Sequence, residues 1–173
     1  PECAAGLFPI EAVTTMKNDA IEVERNPSCT SVLEAGRSVK GKTVADSNVA
    51  AASEISKTAE VKAIACFTFS GTTASLTARE RPRVPIIALT ANIDTARRLS
   101  LTWGTNCVIT GPVDRFKMAV VAAVRAAVSQ GFAEEHDQIA VTAGVPFNQA
   151  GTTNILRVAP CEERLIFKSE PDS

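Results

Sequence analysis

The chain has 173 residues, 45% hydrophobic and 21% charged, enough for one globular domain with a real core and an appended element. Its 18 Lys and Arg against 19 Asp and Glu leave a net charge of -1, without the basic surface that a nucleic-acid partner requires. No apolar run reaches membrane-span length and no signal-peptide pattern opens the chain. The five cysteines, Cys3, Cys29, Cys66, Cys107 and Cys161, are scattered without a CxxC pair. They point to reduced thiols in a cytoplasmic protein, away from a disulfide frame or zinc site.

In chain order, PECAAGLFP reads as a loop closing on Pro9. Ala12, Met16, Ala20 and Val23 then recur at helical spacing and predict a helix over residues 11–24. Residues 25–42, with two glycines and a proline, read as a connector. Thr43, with Asp46 three positions on, marks a capping box for a helix over 44–59. Its Val44, Ala51, Ala52, Ile55 and Ala59 share an alanine-rich face suited to close packing.

From residue 62 the pattern becomes strand–helix alternation. AIACFT reads as a buried strand and TTASLTARE as a short helix; Pro82 and Pro85 then break the chain before the strand PIIALT. Near-continuous apolar runs of this kind suit a parallel sheet covered on both faces. Asn92 caps IDTARRLSLTW, CVIT is a third strand, and Val113, Phe116, Val120, Val124, Ala127 and Val128 define a helix over 113–130 that Gly131 terminates. QIAVTA and NILRVAP follow, joined by the loop GVPFNQAGTT, so these last two strands are antiparallel neighbours. The tail after Pro160 is expected to fray. The predicted fold is a three-layer α/β/α domain with a mixed five-stranded sheet, mostly parallel with the last strand antiparallel, preceded by helices.

FTFSGTTAS carries the chemistry. An apolar strand feeding a hydroxyl-rich turn at a helix N-terminus forms an anion pocket, because first-turn N–H groups and the helix dipole both face the ligand. Thr68, Ser70, Thr72 and Thr73 supply hydroxyls, and Gly71 allows close backbone approach. There is no GxxxxGK[ST], so this is not a triphosphate P-loop. The alternative is that Ser and Thr only cap a helix. Since ligands of such sheets sit beyond the strand carboxyl ends, the loops 68–73 and 144–153 are expected to converge on one site.

Reaction chemistry is sparse. His136 lies in a charged turn, AEEHDQ, and reads as solvated. Glu134, Glu135 and Asp137 lack further oxygen ligands for a metal. No G-x-S-x-G elbow or paired Cys and His is present. Arg79, Arg81 and Arg83 read as either an anion-reaching patch or an exposed rim. Trp103 and Phe132, beside glycines at element ends, are expected to wedge the core, and Cys66 and Cys107 to act as small buried hydrophobes. A pocket without acid, base or nucleophile suits a binding or regulatory domain.

Together these stretches resemble the C-terminal domain of pyruvate kinase. AAGLFPIEAV is similar to the family's GETAxGxYPxEAV, and FTFSGTTAS to its effector loop T-x-S-G-x-[ST]-A. RPRVPIIALTANIDTARRLSLTWG is similar to RPxxPIIAxTxNxxTARxLxLxxG, and AGVPFNQAGTTNILRV to GxxxxxxGxTNxxRV. The resemblance is collinear over nearly the whole chain. It implies residues 1–25 as the last loop and helix of a barrel, 26–42 as a connector and 43–173 as an effector-binding domain.

It also implies an enzyme of glycolysis that transfers phosphate from phosphoenolpyruvate to ADP with Mg2+ and commonly K+. The barrel residues for that reaction lie outside this sequence, so no catalytic or metal residue carries over. The chain starts at Pro1 and is expected to be a fragment, inactive alone, that binds a phosphorylated effector and builds a homotetramer. The implied phosphate contacts are Thr68, Ser70, Gly71, Thr72 and Thr73, and the loop at Gly151 and Thr152 is implied to cover the ligand. Phe69 and Thr72 stand where family members often carry basic residues, VPFNQA has no arginine, and TGPVDRFKMA offers Arg115 and Lys117 but no tryptophan. A second phosphate would lack charge-assisted contacts, which favours a monophosphate (AMP, ribose 5-phosphate or glucose 6-phosphate). The alternative is a structural assembly domain that binds nothing.

Overall fold

The computed structural model describes residues 6–26, 28, 29, 32, 43–147 and 152–166. The chain divides into two compact units, Pro1–Val39 and Lys40–Ser173. In the first, α1 (Pro9–Arg25) begins with proline in its first turn, followed by Glu11, and ends on Arg25. Proline's missing N–H costs nothing there, and both charges complement the helix dipole. Within this unit α1 buries none of its side chains; Phe8, Ile10, Val13, Met16 and Val23 are exposed. Most of the expected connector, 26–42, lies outside the described residues.

The second unit runs α2 (Val44–Thr58), β1 (Val61–Phe67), α3 (Thr72–Arg79), β2 (Ile86–Thr90), α4 (Ile93–Leu99), β3 (Thr105–Ile109), α5 (Phe116–Ser129), β4 (Gln138–Gly144), β5 (Thr153–Pro160) and α6 (Glu163–Ile166). Its five strands are ordered β3-β2-β1-β4-β5. The pairs β1–β2, β2–β3 and β1–β4 are parallel, and β4–β5 is antiparallel. The mixed sheet expected from the sequence is therefore present. Strand order reverses at β1: two crossovers build outward through β2 and β3, and α5 then carries the chain back to β4 on the other side. Since such crossovers keep one hand, reversing direction puts α5 on the opposite face.

Alternation along the strands separates two cores. Ala63, Ala65, Phe67, Ile87, Leu89, Ile139 and Val141 face α5, with its Ala119, Ala123, Val124 and Ala127. Ile64, Cys66, Ile86, Ala88 and Ala140 face Ala52 of α2, Ala74 and Ala78 of α3, and Leu99 of α4. Each large aliphatic side chain buried this way contributes about 1.5–3 kcal/mol relative to exposure. The many alanines bring the helix axes close to the sheet.

Several boundaries differ from the sequence reading. The long helix starts at Phe116, not at 113, because Gly111-Pro112 and an extended Arg115 (φ -122, ψ 136) delay it; Val113 still packs against the α5 core. Helix α4 stops at Leu99, short of Trp103. Phe132 packs against the core as expected, whereas Trp103 takes the Arg81 guanidinium 4.3 Å above its ring. Past Pro160 the chain forms α6, with Leu165 and Ile166 against the α5 core and the Leu165 carbonyl accepting from Arg125 Nε at 3.2 Å.

The capping box at α2 is present. Thr43 Oγ1 accepts from the Asp46 amide at 3.1 Å, and Asp46 Oδ2 accepts from the Thr43 amide at 3.2 Å. Arg79 of α3 donates to Asp46 Oδ1 at 2.6 Å, so one carboxylate starts α2 and ties it to α3. The Thr43 hydroxyl, followed by Arg79, holds the Asp46 carboxyl below its ordinary value of 3.8. Its stabilising effect is thus fully present above that ordinary value and is lost as pH falls through the lowered one. Carboxyl NMR titration should find Asp46 ionising below 3.8; Thr43→Ala should move that midpoint upward and cost about 1 kcal/mol of stability at neutral pH.

Candidate functional site

At the carboxyl ends of the parallel strands lies a cavity of about 410 Å³, lined by residues from every loop at that end of the sheet. It sits beside the β1–β4 boundary, where the strand order reverses and α/β sheets open a crevice. The loops expected to converge do so. Thr68, Ser70, Thr72 and Thr73 line one wall, and Gly144, Thr152 and Thr153 line another. Thr73 Oγ1 and Thr153 Oγ1 join the two walls at 2.6 Å.

The β1–α3 turn has a definite construction. Thr68 leaves the strand with its amide donating to the Leu89 carbonyl at 3.0 Å, and its hydroxyl oxygen accepts from the Gly71 amide at 2.9 Å. Gly71 is the N-cap of α3, left-handed at φ 91, and no side chain caps that helix. The hydroxyls of Ser70, Thr72 and Thr73 are therefore not spent as caps. The first α-helical bond of α3 runs from the Ser75 amide to the Gly71 carbonyl, so the amides of Thr72, Thr73 and Ala74 have no helical carbonyl behind them. Ser70 Oγ and Thr72 Oγ1 share a 2.9 Å bond. A bond between two hydroxyls uses one proton of two, so this pair and the Thr73–Thr153 pair each keep a donor for a ligand.

Gly71 has a different role from the one the sequence suggests. It does not line the cavity; a Cβ there would lie 3.3 Å from Leu99 Cδ2, so glycine lets the turn pack on α4. The glycine that permits close approach at the cavity is Gly144, whose Cβ would fall 2.5 Å from Thr152 Oγ1 and 2.8 Å from the Thr152 carbonyl oxygen. A register irregularity after Ala143 brings Gly144 opposite Thr153. Asn154 then clamps the chain, accepting from the Val145 amide at 2.9 Å and donating to its carbonyl at 2.7 Å. Gly151 lies outside the described residues.

Two further walls were missed from the sequence: the β2–α4 loop, with Thr90, Asn92 and Ile93, and the β3–α5 loop, with Thr110 and Pro112. The available signal was a threonine closing each of three neighbouring strand motifs, FT, LT and IT. Phe147 completes the lining and stands edge-on to Phe67, centroids 6.3 Å apart.

No Asp, Glu, Lys, Arg, His or Cys is among the described lining residues. Arg98 supports the cradle from behind, donating to the Ser70 carbonyl at 2.7 Å. Of the arginine cluster, Arg79 pairs with Asp46 and Glu80, Arg81 covers Trp103, and none lines the cavity. His136 is a turn residue with an 85% exposed side chain. Burial pushes the Cys66 thiol up to about 12, against the opposing Thr77 hydrogen bond. Burial, with Asp137 nearby, takes Cys161 to about 11. Neither is a thiolate near neutrality. Cys107 is only half-buried, on the outer strand β3.

Fold and cavity together define an α/β domain with a hydroxyl-lined crevice that has no charged side chain among its described lining residues. The family model for the pyruvate kinase alpha/beta domain matches residues 46–159, and the chain belongs to that family. It is 40% identical over 158 residues to a pyruvate kinase of Methylorubrum extorquens, covering 91% of this chain and 33% of that protein. A pyruvate kinase of Geobacillus stearothermophilus is 34% identical over 157 residues, covering 91% and 27%. The crystal structure of a pyruvate kinase from Cryptosporidium parvum matches with a TM-score of 0.80 at 25% identity, covering 92% of this chain and 32% of that one. The chain thus spans about a third of the relatives' length.

Gly144→Ala should push the Thr152 segment off β4 and cost about 1–3 kcal/mol in thermal or denaturant unfolding. Gly71→Ala should cost a similar amount, about 1–3 kcal/mol, through left-handed strain. Chemical shifts should separate the two: the first variant perturbs Thr152 and Thr153, the second Thr95 and Leu99.

Proposed function

We propose that this chain is the effector-binding and oligomerisation domain of a pyruvate kinase, a cytoplasmic, homotetrameric glycolytic enzyme that transfers phosphate from phosphoenolpyruvate to ADP. In this reading the transfer takes place in a barrel outside this sequence. The described residues contain no group of three or more His, Cys, Asp or Glu suited to a metal. In the same reading Mg2+ and K+ belong to the barrel. The exposed apolar residues of α1 are the ones the barrel would cover.

The observation that carries the regulatory part is the hydroxyl wall around the first turn of α3. Thr68, Ser70, Thr72 and Thr73 surround amides that no helical carbonyl satisfies, at the positive end of an eight-residue helix. A phosphate monoester suits this wall, its oxygens accepting from amides and hydroxyls while Thr152, with Gly151 beside it, closes over the ligand. A second phosphate would meet no cationic side chain in the described lining, so a monophosphate is favoured over a bisphosphate. Loading this wall pulls on the Thr73–Thr153 bond and so on β5, a physical route from ligand to sheet edge.

That same bond favours a second reading. The hydroxyls partly satisfy one another, as they would in an assembly domain that binds nothing. A thermal-shift panel on the chain separates the two. Ribose 5-phosphate, glucose 6-phosphate and AMP at millimolar concentration should raise the melting temperature and compete with sulfate, and fructose 1,6-bisphosphate should gain nothing from its second phosphate. At 100 times its dissociation constant a ligand stabilises by about 2.7 kcal/mol. Ser70→Ala with Thr73→Ala should abolish the response. No shift with any phosphate compound would leave only the assembly reading.

A further inference from the structure

The β1–α3 turn is gripped from one side by α4. Thr95, Arg98 and Leu99, spaced i, i+3 and i+4 and so on one helix face, meet three successive turn residues. Thr95 Oγ1 donates to the Phe69 carbonyl at 3.1 Å, and Arg98 Nη2 donates to the Ser70 carbonyl at 2.7 Å. Leu99 lies against Gly71, where a Cβ would fall 3.3 Å from its Cδ2. Phe69 and Ser70 line the cavity, whereas Thr95, Arg98 and Leu99 do not. Both turn carbonyls are therefore engaged by groups outside the lining.

The Ser70–Gly71 peptide is pinned at both ends. Its carbonyl accepts from Arg98, and its N–H donates to Thr68 Oγ1 at 2.9 Å. Gly71, at φ 91 and ψ -7, has the torsions of the third residue of a type II turn. Turning the peptide over leads to the type I form, with φ about -90° and ψ again near about 0°. Glycine takes either form without steric cost, so the partners of the peptide decide its orientation. That orientation matters to an anion. The C=O and N–H of a trans peptide point opposite ways. A flipped peptide would bring its carbonyl oxygen to the side of Thr68, which lines the cavity, and would repel a phosphate oxygen there.

The two neighbouring arginines of α4 behave differently. Arg97 pairs with Asp94 of its own helix at 3.5 Å, while Arg98 crosses to the turn. A guanidinium is charged at every working pH, and its hydrogen bonds are stronger than those between neutral groups. We infer that Arg98 is a positioning residue for the anion cradle. It fixes the Ser70–Gly71 peptide so that the turn offers the ligand N–H and hydroxyl donors and no carbonyl. The inference rests on the phosphate reading above and adds what keeps that wall attractive to an anion.

Isothermal titration with inorganic phosphate and ribose 5-phosphate tests this on the unmodified chain, Arg98→Met, Arg98→Lys and Arg97→Met, in low and high potassium chloride. Arg98→Met should weaken both ligands about tenfold, the size of one hydrogen bond to a charged group. Arg98→Lys keeps a charged donor and should recover most of that loss. Arg97→Met removes the same charge one residue away and should change affinity by less than about twofold. The Arg98→Met deficit should persist in high salt, which screens distant charge but leaves the peptide orientation alone. Without any ligand, NMR relaxation dispersion at the Gly71 amide should appear in Arg98→Met and be absent from the unmodified chain and Arg97→Met. Both arginines are exposed, so circular dichroism should show every variant folded. Equal losses in Arg97→Met and Arg98→Met, or a deficit that vanishes in high salt, would reduce Arg98 to general charge and overturn the positioning role while leaving the phosphate wall intact. A quiet Gly71 amide in Arg98→Met would overturn it too. No phosphate binding by the unmodified chain would overturn the phosphate wall and this assignment with it.

Discussion

The architecture depends on the burial of β1 on both faces. Ala63, Ile64, Ala65 and Cys66 are wholly inaccessible, flanked by β2 and β4 in the sheet and by helices above and below. A strand in that position is apolar through its covered span, here Ala63–Phe67, and turns polar only toward its ends, at Lys62 and where it leaves the sheet. Thr68 marks that point. Its amide still belongs to the ladder with β2 while its hydroxyl already belongs to the turn. The hydroxyl wall stands where it does because the central strand leaves the ladder there. Neighbouring strands end at the same level, so the crevice collects a threonine from β2 and another from the β3 loop.

Most of the fold is legible in the sequence for the same reason. A strand covered on both faces cannot hide its signal, and PIIALT and QIAVTA read as clearly as AIACFT. The short loop before NILRVAP set the one antiparallel pair. What escaped was local. Helix α5 looks as if it starts three residues earlier than it does because Val113 obeys helical spacing while packing ahead of the helix. Trp103 looks like a core wedge because an aromatic beside a glycine usually is one; its partner, Arg81, is twenty-two positions earlier in the chain.

The cavity was half legible. The Thr68–Thr73 turn announces itself through its hydroxyl density, and the sheet rule brings it to the β4–β5 loop. The other half comes from single residues, Ile93, Pro112 and Phe147, none unusual in its local context. Close approach at the cavity falls to Gly144 instead of Gly71 for a related reason. Whether a glycine serves an unusual φ, a neighbouring helix or a close strand crossing depends on atoms far off in sequence, here Leu99 for Gly71 and Thr152 for Gly144.

The uncharged lining has a consequence for acid and base. A receptor for anions built from lysine, arginine or histidine carries its own titration curve, so occupancy follows the protein's protonation as well as the ligand's. Hydroxyls, amides and a helix dipole have no such curve in the physiological range. Among the described lining residues nothing gains or loses a proton between mild acid and mild base. Any change in occupancy with pH then belongs to the guest, chiefly the second ionisation of a phosphate near pH 6. Under the proposed phosphate reading, the crevice follows the ligand's charge and adds no titration of its own.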